Sequence, residues 1–406
     1  MNCNFQPEMN KNFSLAGHRI SISAFFFLHG VCFASWASRI PSIQQNLHLN
    51  ETSLGAVLFA LPVGSFLTVP LSGLLVARRG SRDLVWITAL IYSAILSCIG
   101  FAGATWQLVI ALFLFGSSGN MCNIAFNTQA LGLEKLYGRR IMSSFHGVWS
   151  VAGLAGAGFG GWVMGTGMPV WIHFLIITGL SFLIVFFCRQ QLLAEDKQEG
   201  GRRTAFTRPE GILVILGMIA FCSMMCQGAM FDWTGVYFKK VLHAIPAWIG
   251  AGYTAYMLSM AATRFLADWI SHHIGLRNTL FWSGVLTAGG LVLMVLIPNI
   301  PASIVGSTLV GIGVSPVVPL VYSAVAQSKV MAAPLAIAAV STMGFIGLLI
   351  GPPLVGFVAG WAGLPVSFIV LAAIGLTVSI LSFKVNYEIK PQDEISSTAS
   401  NIASEI

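Results

Sequence analysis

Apolar residues in this chain arrive in long unbroken blocks with no two-residue alternation. The blocks run over about 20–38, 53–76, 84–103, 106–133, 141–164 and 169–188. After a polar break they resume at about 211–238, 246–270, 278–297, 302–327, 333–359 and 365–385. A helix of about 20 apolar residues, rising about 1.5 Å per residue, crosses the roughly 30 Å hydrocarbon core of a bilayer. Barrel strands would be half this length and would alternate in polarity. The pattern therefore predicts an all-α integral membrane protein with twelve transmembrane helices joined by short connections such as Pro298-Asn299-Ile300-Pro301.

The longest polar stretch, 189–209, separates six blocks from six and predicts a division of the chain. A tail over 1–19 precedes a six-helix bundle over 20–188, and the loop over 189–209 leads to a second bundle over 210–385 and a tail over 386–406. The halves match at an offset of 195 residues. Gly80-Ser81-Arg82 answers to Gly275-Leu276-Arg277, Gly116 to Gly311, and Gly156 and Gly161 to Gly351 and Gly356. At an offset of 197, Ser35-Trp36 answers to Asp232-Trp233. Two six-helix pseudo-repeats are a transporter architecture, with a solute site near the midplane where the halves face each other.

Composition agrees with the pattern. Hydrophobic residues make up 56% of the 406 and charged residues 9%, against roughly 25% charged in a soluble domain. So little charge would not keep a soluble chain dispersed, whereas lipid solvates a membrane protein. With both ends placed in the cytoplasm, 18 of the 21 basic residues fall on that side, leaving Arg39, Lys239 and Lys240 outside. The net charge of +7 is thus an insertion signal and an attraction to anionic lipid, with no nucleic-acid footprint. The expected location is a bacterial inner membrane. The first 18 residues are polar and the first apolar block runs into Arg39 and Pro41, which predicts no cleaved signal peptide. Seven cysteines lie mostly within helices, without a paired framework. Cys222 and Cys226 share a helix face but read as packing residues, so no metal and no cofactor are expected.

Several motifs carry a resemblance. The segment between blocks 2 and 3, Gly73-Leu74-Leu75-Val76-Ala77-Arg78-Arg79-Gly80-Ser81-Arg82, is similar to the cytoplasmic signature of the major facilitator superfamily, with Ala77 at the usual aspartate position. The second copy, Arg264-Phe265-Leu266-Ala267-Asp268, keeps the aspartate and loses the leading glycine. Block 5 carries Gly156-Ala157-Gly158-Phe159-Gly160-Gly161, which resembles an antiporter motif whose proline is here Ala157. Within that superfamily, Ala34-Ser35-Trp36-Ala37-Ser38-Arg39, His146-Gly147 and Asp232-Trp233 resemble the YbjJ-like group related to fucose permeases. The resemblance covers nearly the whole chain and implies alternating access, with one half rocking against the other.

Candidate site residues follow from polarity inside apolar blocks. Asn120, Asn123 and Asn127 fall at i, i+3 and i+7 on one helix face, and bare amides in a membrane interior cost several kcal/mol each. That stripe fits a polyhydroxylated or amide-bearing solute, with bonding between helices as the alternative. Gln227, Tyr253, Tyr256 and His29 are further candidates for solute contact. Asp232 and His29 are candidates for proton coupling, because an intramembrane ionisable group is costly and usually functional. For Asp232 the alternative is an interfacial carboxylate beside a Trp233 anchor. Arg78, Arg79, Arg82, Asp268 and Arg277 are gating candidates, since cations at helix ends bond to a neighbouring helix only when that face is shut. Gly156, Gly160, Gly161, Gly351 and Gly356 are helix-packing candidates.

The predicted function is a secondary carrier of a small polar solute such as a sugar or sugar derivative, proton-coupled or uniporting, and monomeric. Its rival is a proton-antiporting exporter of amphipathic compounds. A membrane receptor or enzyme belongs to another class, and no catalytic cluster or Walker loop supports one.

Overall fold

The computed structural model describes residues 14–138, 141–193, 211–326 and 333–385. Residues 1–13 of the predicted N-terminal tail, the predicted C-terminal tail, most of the central loop, Arg139, Arg140 and the side chains of Ala77 and Asp268 lie outside the described residues, and the first helix takes in the last five positions of the predicted N-terminal tail. Twelve spans are built from helices in chain order. Spans 1 to 6 are Leu15–Asn46, Glu51–Leu58 with Ala60–Arg79, Ser81–Gly100, Thr105–Tyr137, Met142–Gly165 and Val170–Cys188. Spans 7 to 9 are Ile212–Lys240, Ala251–Ile274 and Leu276–Leu296. Spans 10 to 12 are Ile300–Val314 with Val317–Ala326, Ala333–Ala362 and Leu364–Ser382.

Among the described residues, ten of these spans are long and apolar enough to cross a membrane by length and composition. Spans 5 and 8 fall short. Span 5 is rich in glycine, and span 8 carries Thr254, Ser259, Thr263, Arg264 and His272. The two pack on each other across the halves, yet each still exposes large apolar side chains, Trp162 on span 5 and Phe265 on span 8. Lipid supplies the outer solvent there as elsewhere, where Leu67, Trp106, Phe187, Leu296 and Trp361 are exposed.

Two spans are interrupted, and proline explains both. Pro62 sits in the first turn of Ala60–Arg79, where its missing N–H and its ring cannot continue the helix that ends at Leu58. Pro316 stands between the two pieces of span 10, where Ser315 Oγ donates to the Met260 carbonyl of span 8 at 2.9 Å. The apolar pattern predicts block 10 as continuous, and hydropathy alone does not register this break.

The repeat seen in the sequence is a repeat of jobs. Gly80 and Gly275 both adopt positive φ, 83° and 79°, and each ends one helix where the next begins. A methyl group on Gly116 would collide with the Leu61 carbonyl of span 2, and one on Gly311 would collide with Ser259 and the Tyr256 carbonyl of span 8. Gly156 packs on Val31 and Ala34 of span 1, as Gly351 packs on Met225 of span 7. Gly160 lies against Ser38. Trp36 and Trp233 are both buried.

Across the seam between the halves, two glycine pairs meet. A methyl group on Gly55 would stand 2.8 Å from the Gly356 Cα, and one on Gly250 would stand 2.9 Å from the Gly161 Cα. The same end of the bundle holds a Lys240–Glu51 ion pair at 2.6 Å, the only one among the described residues. Lys239 Nζ donates to the Pro41 carbonyl at 2.9 Å and to Gln45. That end is therefore clasped. An exposed ion pair contributes only about 0–1 kcal/mol, so the lysines set register while close packing does the shutting.

Candidate functional site

Between the clasped end and the end carrying Arg78 and Arg277 lies a cavity of about 220 Å³. Its walls come from spans 1 to 4 and span 11, and include His29, Phe33, Tyr92, Phe115, Asn120, Asn123, Phe345 and Leu348. That volume is below the roughly 300–1,000 Å³ of drug-sized sites and suits a solute of monosaccharide size. A larger groove, about 750 Å³, runs along the seam of spans 5 and 8 past Gly158, Gly161, Trp162 and Leu258. Its lining is mostly small and apolar, and it lacks the convergent polar groups of a solute site.

His29 is the hub of the cavity. Its Nδ1 accepts a hydrogen bond from Trp149 Nε1 at 3.0 Å. Indole nitrogen only donates, so the ring carries its proton on Nε2, which donates to the Gly119 carbonyl at 3.2 Å. The imidazole stacks on Tyr92 with centroids 4.9 Å apart, and Tyr92 stacks on Phe115 at 4.2 Å. A methyl group on Gly119 would press on the Tyr92 ring at 2.8 Å, so that glycine makes room for the stack.

The asparagine stripe is divided. Asn120 and Asn123 line the cavity. Asn120 Nδ2 reaches Thr68 and Ser72 only at 3.5 Å each, contacts long enough to yield to a better partner. Asn127 is not part of the lining. Its Nδ2 donates to the Asn123 carbonyl at 2.8 Å and to Asn123 Oδ1 at 3.1 Å, so it orients Asn123.

The remaining candidates lie further out. Tyr253 and Tyr256 are fully buried behind Phe231, which meets them edge-on at 6.3 and 5.6 Å and itself packs on Phe33 of the cavity wall. Phe231 thus stands between both tyrosines and the cavity, because span 7 passes in front of span 8 at that level. Gln227 Nε2 reaches only Met260 sulfur at 3.7 Å, away from the lining. Asp232 is partly buried and has no hydrogen bond or ion pair to a described residue. Trp233 is no interfacial anchor: it is buried and donates to the Pro352 carbonyl at 3.1 Å. Arg78, Arg79 and Arg277 are exposed, Arg82 is partly buried in a crevice with Asp83 and Arg189, and none pairs with a described carboxylate. At the end opposite the clasp these candidates therefore make no ion pair with a described carboxylate, and Arg277 lies over the Phe383 ring at 5.1 Å.

Sequence polarity does not distinguish Tyr92 and Phe33, which line the cavity, or Trp149, which holds His29 from behind it. Trp149 reads as an interface anchor and Tyr92 as one more aromatic in an apolar block. The nearby Gly119 is the only local sign of a large ring needing space. Among the described residues no group of three His, Cys, Asp or Glu side chains is placed to hold a metal.

Twelve spans in two like halves around a small cavity with two amides in its wall, clasped at one end, define a membrane carrier. The profile of the Major Facilitator Superfamily matches residues 22–248 and 241–401, and the chain belongs to that superfamily. It is 31% identical to an uncharacterized MFS-type transporter of Yersinia pestis over 89% of this chain and 94% of that protein. Among solved structures it superposes on the nucleoside transporter NupG with a TM-score of 0.70 at 16% identity, covering 93% of this chain and all of that one. It also superposes on a variant of the E. coli fucose:proton symporter FucP, with a TM-score of 0.61 at 15% identity over 91% of this chain and 98% of that one. These structural likenesses show the fold alone.

Proposed function

We propose that this transporter carries a small hydroxylated solute, a sugar or sugar derivative, by alternating access, and that Asp232 couples the movement to protons. The observation that supports the solute class is the cavity itself: the amides of Asn120 and Asn123 and an imidazole edge face a space walled by Tyr92, Phe33 and Phe115. Amides offer donor and acceptor to hydroxyls, and aromatic faces accept the apolar face of a sugar ring. NupG and FucP, which share the fold, are described as acting on a nucleoside and on fucose with a proton, and both solutes carry hydroxyl groups.

A thermal-shift screen of the purified protein against hexoses, amino sugars and nucleosides tests this, since ligands of the native state raise its apparent stability. With the best ligand, Asn120→Ala and Asn123→Ala should each weaken binding roughly fivefold, for a loss of about 1 kcal/mol per hydrogen bond. Asn127→Ala should cost less, because it acts through Asn123. Unchanged affinity in both lining variants would remove the amides from the site.

We further propose an inner-membrane location with both termini in the cytoplasm, so that the clasped end faces outward. The asymmetry of basic residues supports this orientation. Single cysteines replacing Asp83 or Arg277, in a background freed of native cysteines, should resist a membrane-impermeant thiol reagent in intact cells. A cysteine replacing Trp361 should react. The reverse pattern would invert the topology.

A further inference from the structure

Arg264 occupies a place that insertion alone does not explain. It lies ten residues, about 15 Å, from the end of span 8 at Ile274 and about 20 Å from its start at Ala251, near the middle of a roughly 30 Å hydrocarbon core. Cationic insertion signals belong at the ends of spans. At the offset of 195 the matching position of the first half is Val69, so the repeat does not require an arginine there.

The guanidinium crosses from the second half to the first. Arg264 Nη1 donates to Ser150 Oγ of span 5 at 3.0 Å, and the group lies over the Trp149 ring at 5.9 Å. Its Nε is buried with no acceptor. Trp149 is the residue that donates to His29 in the cavity wall, so a single side chain separates the cation from the lining.

No carboxylate among the described side chains pairs with this charge, and the side chain of Asp268, one turn further along span 8, lies outside the described residues. Glu51 pairs with Lys240, Asp83 accepts from Trp86, and Glu134 accepts the backbone N–H groups of Ile141 and Met142. Asp232 makes no ion pair. The other group on this face of span 5 is His146, one turn before Ser150, whose hydroxyl donates to the His146 carbonyl. A hydroxyl and an indole face are weak company for a charge in the membrane interior, where unpaired cations are costly and mark substrate paths. A guanidinium presents donors in a planar fork that matches a carboxylate.

We propose that Arg264 is the charge-selecting residue of the central site, and that the transported solute is a hydroxylated carboxylate, of the class of sugar acids. The hydroxyl part of that assignment rests on the solute class proposed above. The carboxylate rests on Arg264 alone. The acid group would meet Nε and the free face of the guanidinium, with Trp149 moving aside and releasing its bond to His29. Binding at the lining and release of the bridge between spans 5 and 8 would then be one event.

The test is equilibrium binding to purified full-length protein with a panel of hexoses, the matching hexuronates and hydroxyl-free carboxylates such as cyclohexanecarboxylate. Wild type should bind the best hexuronate at least about tenfold more tightly than its hexose, as one charge-assisted bond contributes. Arg264→Gln should bring acid and neutral sugar to equal affinity, and Arg264→Lys should restore part of the difference. The lysine variant also guards against a folding defect, because it keeps the charge. Equal affinities in wild type, or a preference that survives Arg264→Gln, would overturn the proposal. Binding of hexoses alone would keep the hydroxylated-solute reading and refute this one. Arg264-dependent binding of hydroxyl-free carboxylates alone would keep the charge assignment and refute the hydroxyl reading. Binding by no member of the panel would refute both.

Discussion

Gly356→Leu should abolish net transport while leaving a folded protein that still binds solute. At this contact a methyl group would already stand 2.6 Å from the Gly55 Cα and 2.8 Å from the Glu51 carbonyl. Both neighbours are backbone, which no rotamer change relieves. The clash exists only when the seam is shut, so the overpacking cost of about 1–3 kcal/mol falls on one state and shifts the equilibrium away from it by roughly 5- to 150-fold. Spin labels at Asn46 and Trp361, on opposite halves of the clasped end, should report a longer distance in the variant. Gly250→Leu should behave alike, because a methyl group there would stand 2.9 Å from the Gly161 Cα. A wild-type distance together with wild-type uptake would show that the seam is softer than this packing implies.

Asp232→Asn should eliminate accumulation driven by a pH gradient and leave downhill counterflow largely intact. Asp232 sits within span 7 between two buried aromatics, Phe231 and Trp233, with no partner among the described residues. Asparagine keeps the shape and removes only the ionisable oxygen. If the carboxylate exchanges the coupling proton, uphill movement disappears, because nothing else couples it, while solute exchange needs only the cavity. A carboxylate that merely supports the helix would give a different result, with both assays falling in proportion to expression. Proteoliposomes containing the solute found by screening separate the two, with His29→Gln and Gln227→Glu alongside. Full pH-driven accumulation by Asp232→Asn would remove it from coupling.

The fold was legible because a membrane span is written in composition, a property averaged over about 20 residues. The matched glycines were legible for a related reason: a backbone-to-backbone approach admits no other residue, so its position survives as a letter. Cavity membership was not legible in the same way. Asn120 and Asn127 are equally polar and share a face, yet one lines the cavity while the other bonds to Asn123. Tyr253 and Tyr92 are both tyrosines within spans, and the rotation of span 7 that interposes Phe231 separates their surroundings. Such differences depend on the azimuth of one helix against another, which no single helix encodes. Arg264 reads as a cytoplasmic cation in the sequence for the same reason, since depth along a span is uncertain by a turn or more when only its ends are inferred. The breaks in spans 2 and 10 follow Pro62 and Pro316, visible residues whose effect depends on which carbonyl they leave bare.

The two glycine contacts at the clasped end form a closed set. The offset of 195 residues carries Gly55 to Gly250 and Gly161 to Gly356, and the observed pairs are Gly55 with Gly356 and Gly161 with Gly250. Each half therefore offers the other the same two positions, and receives the same two in return. That is the rule of an isologous interface, the arrangement by which two identical subunits join about a twofold axis. The seam of this single chain is organised as a homodimer interface whose partners have been joined by a linker. Its closing surface is self-complementary, so a change at one contact has a mirror site in the same molecule where the opposite half bears the load.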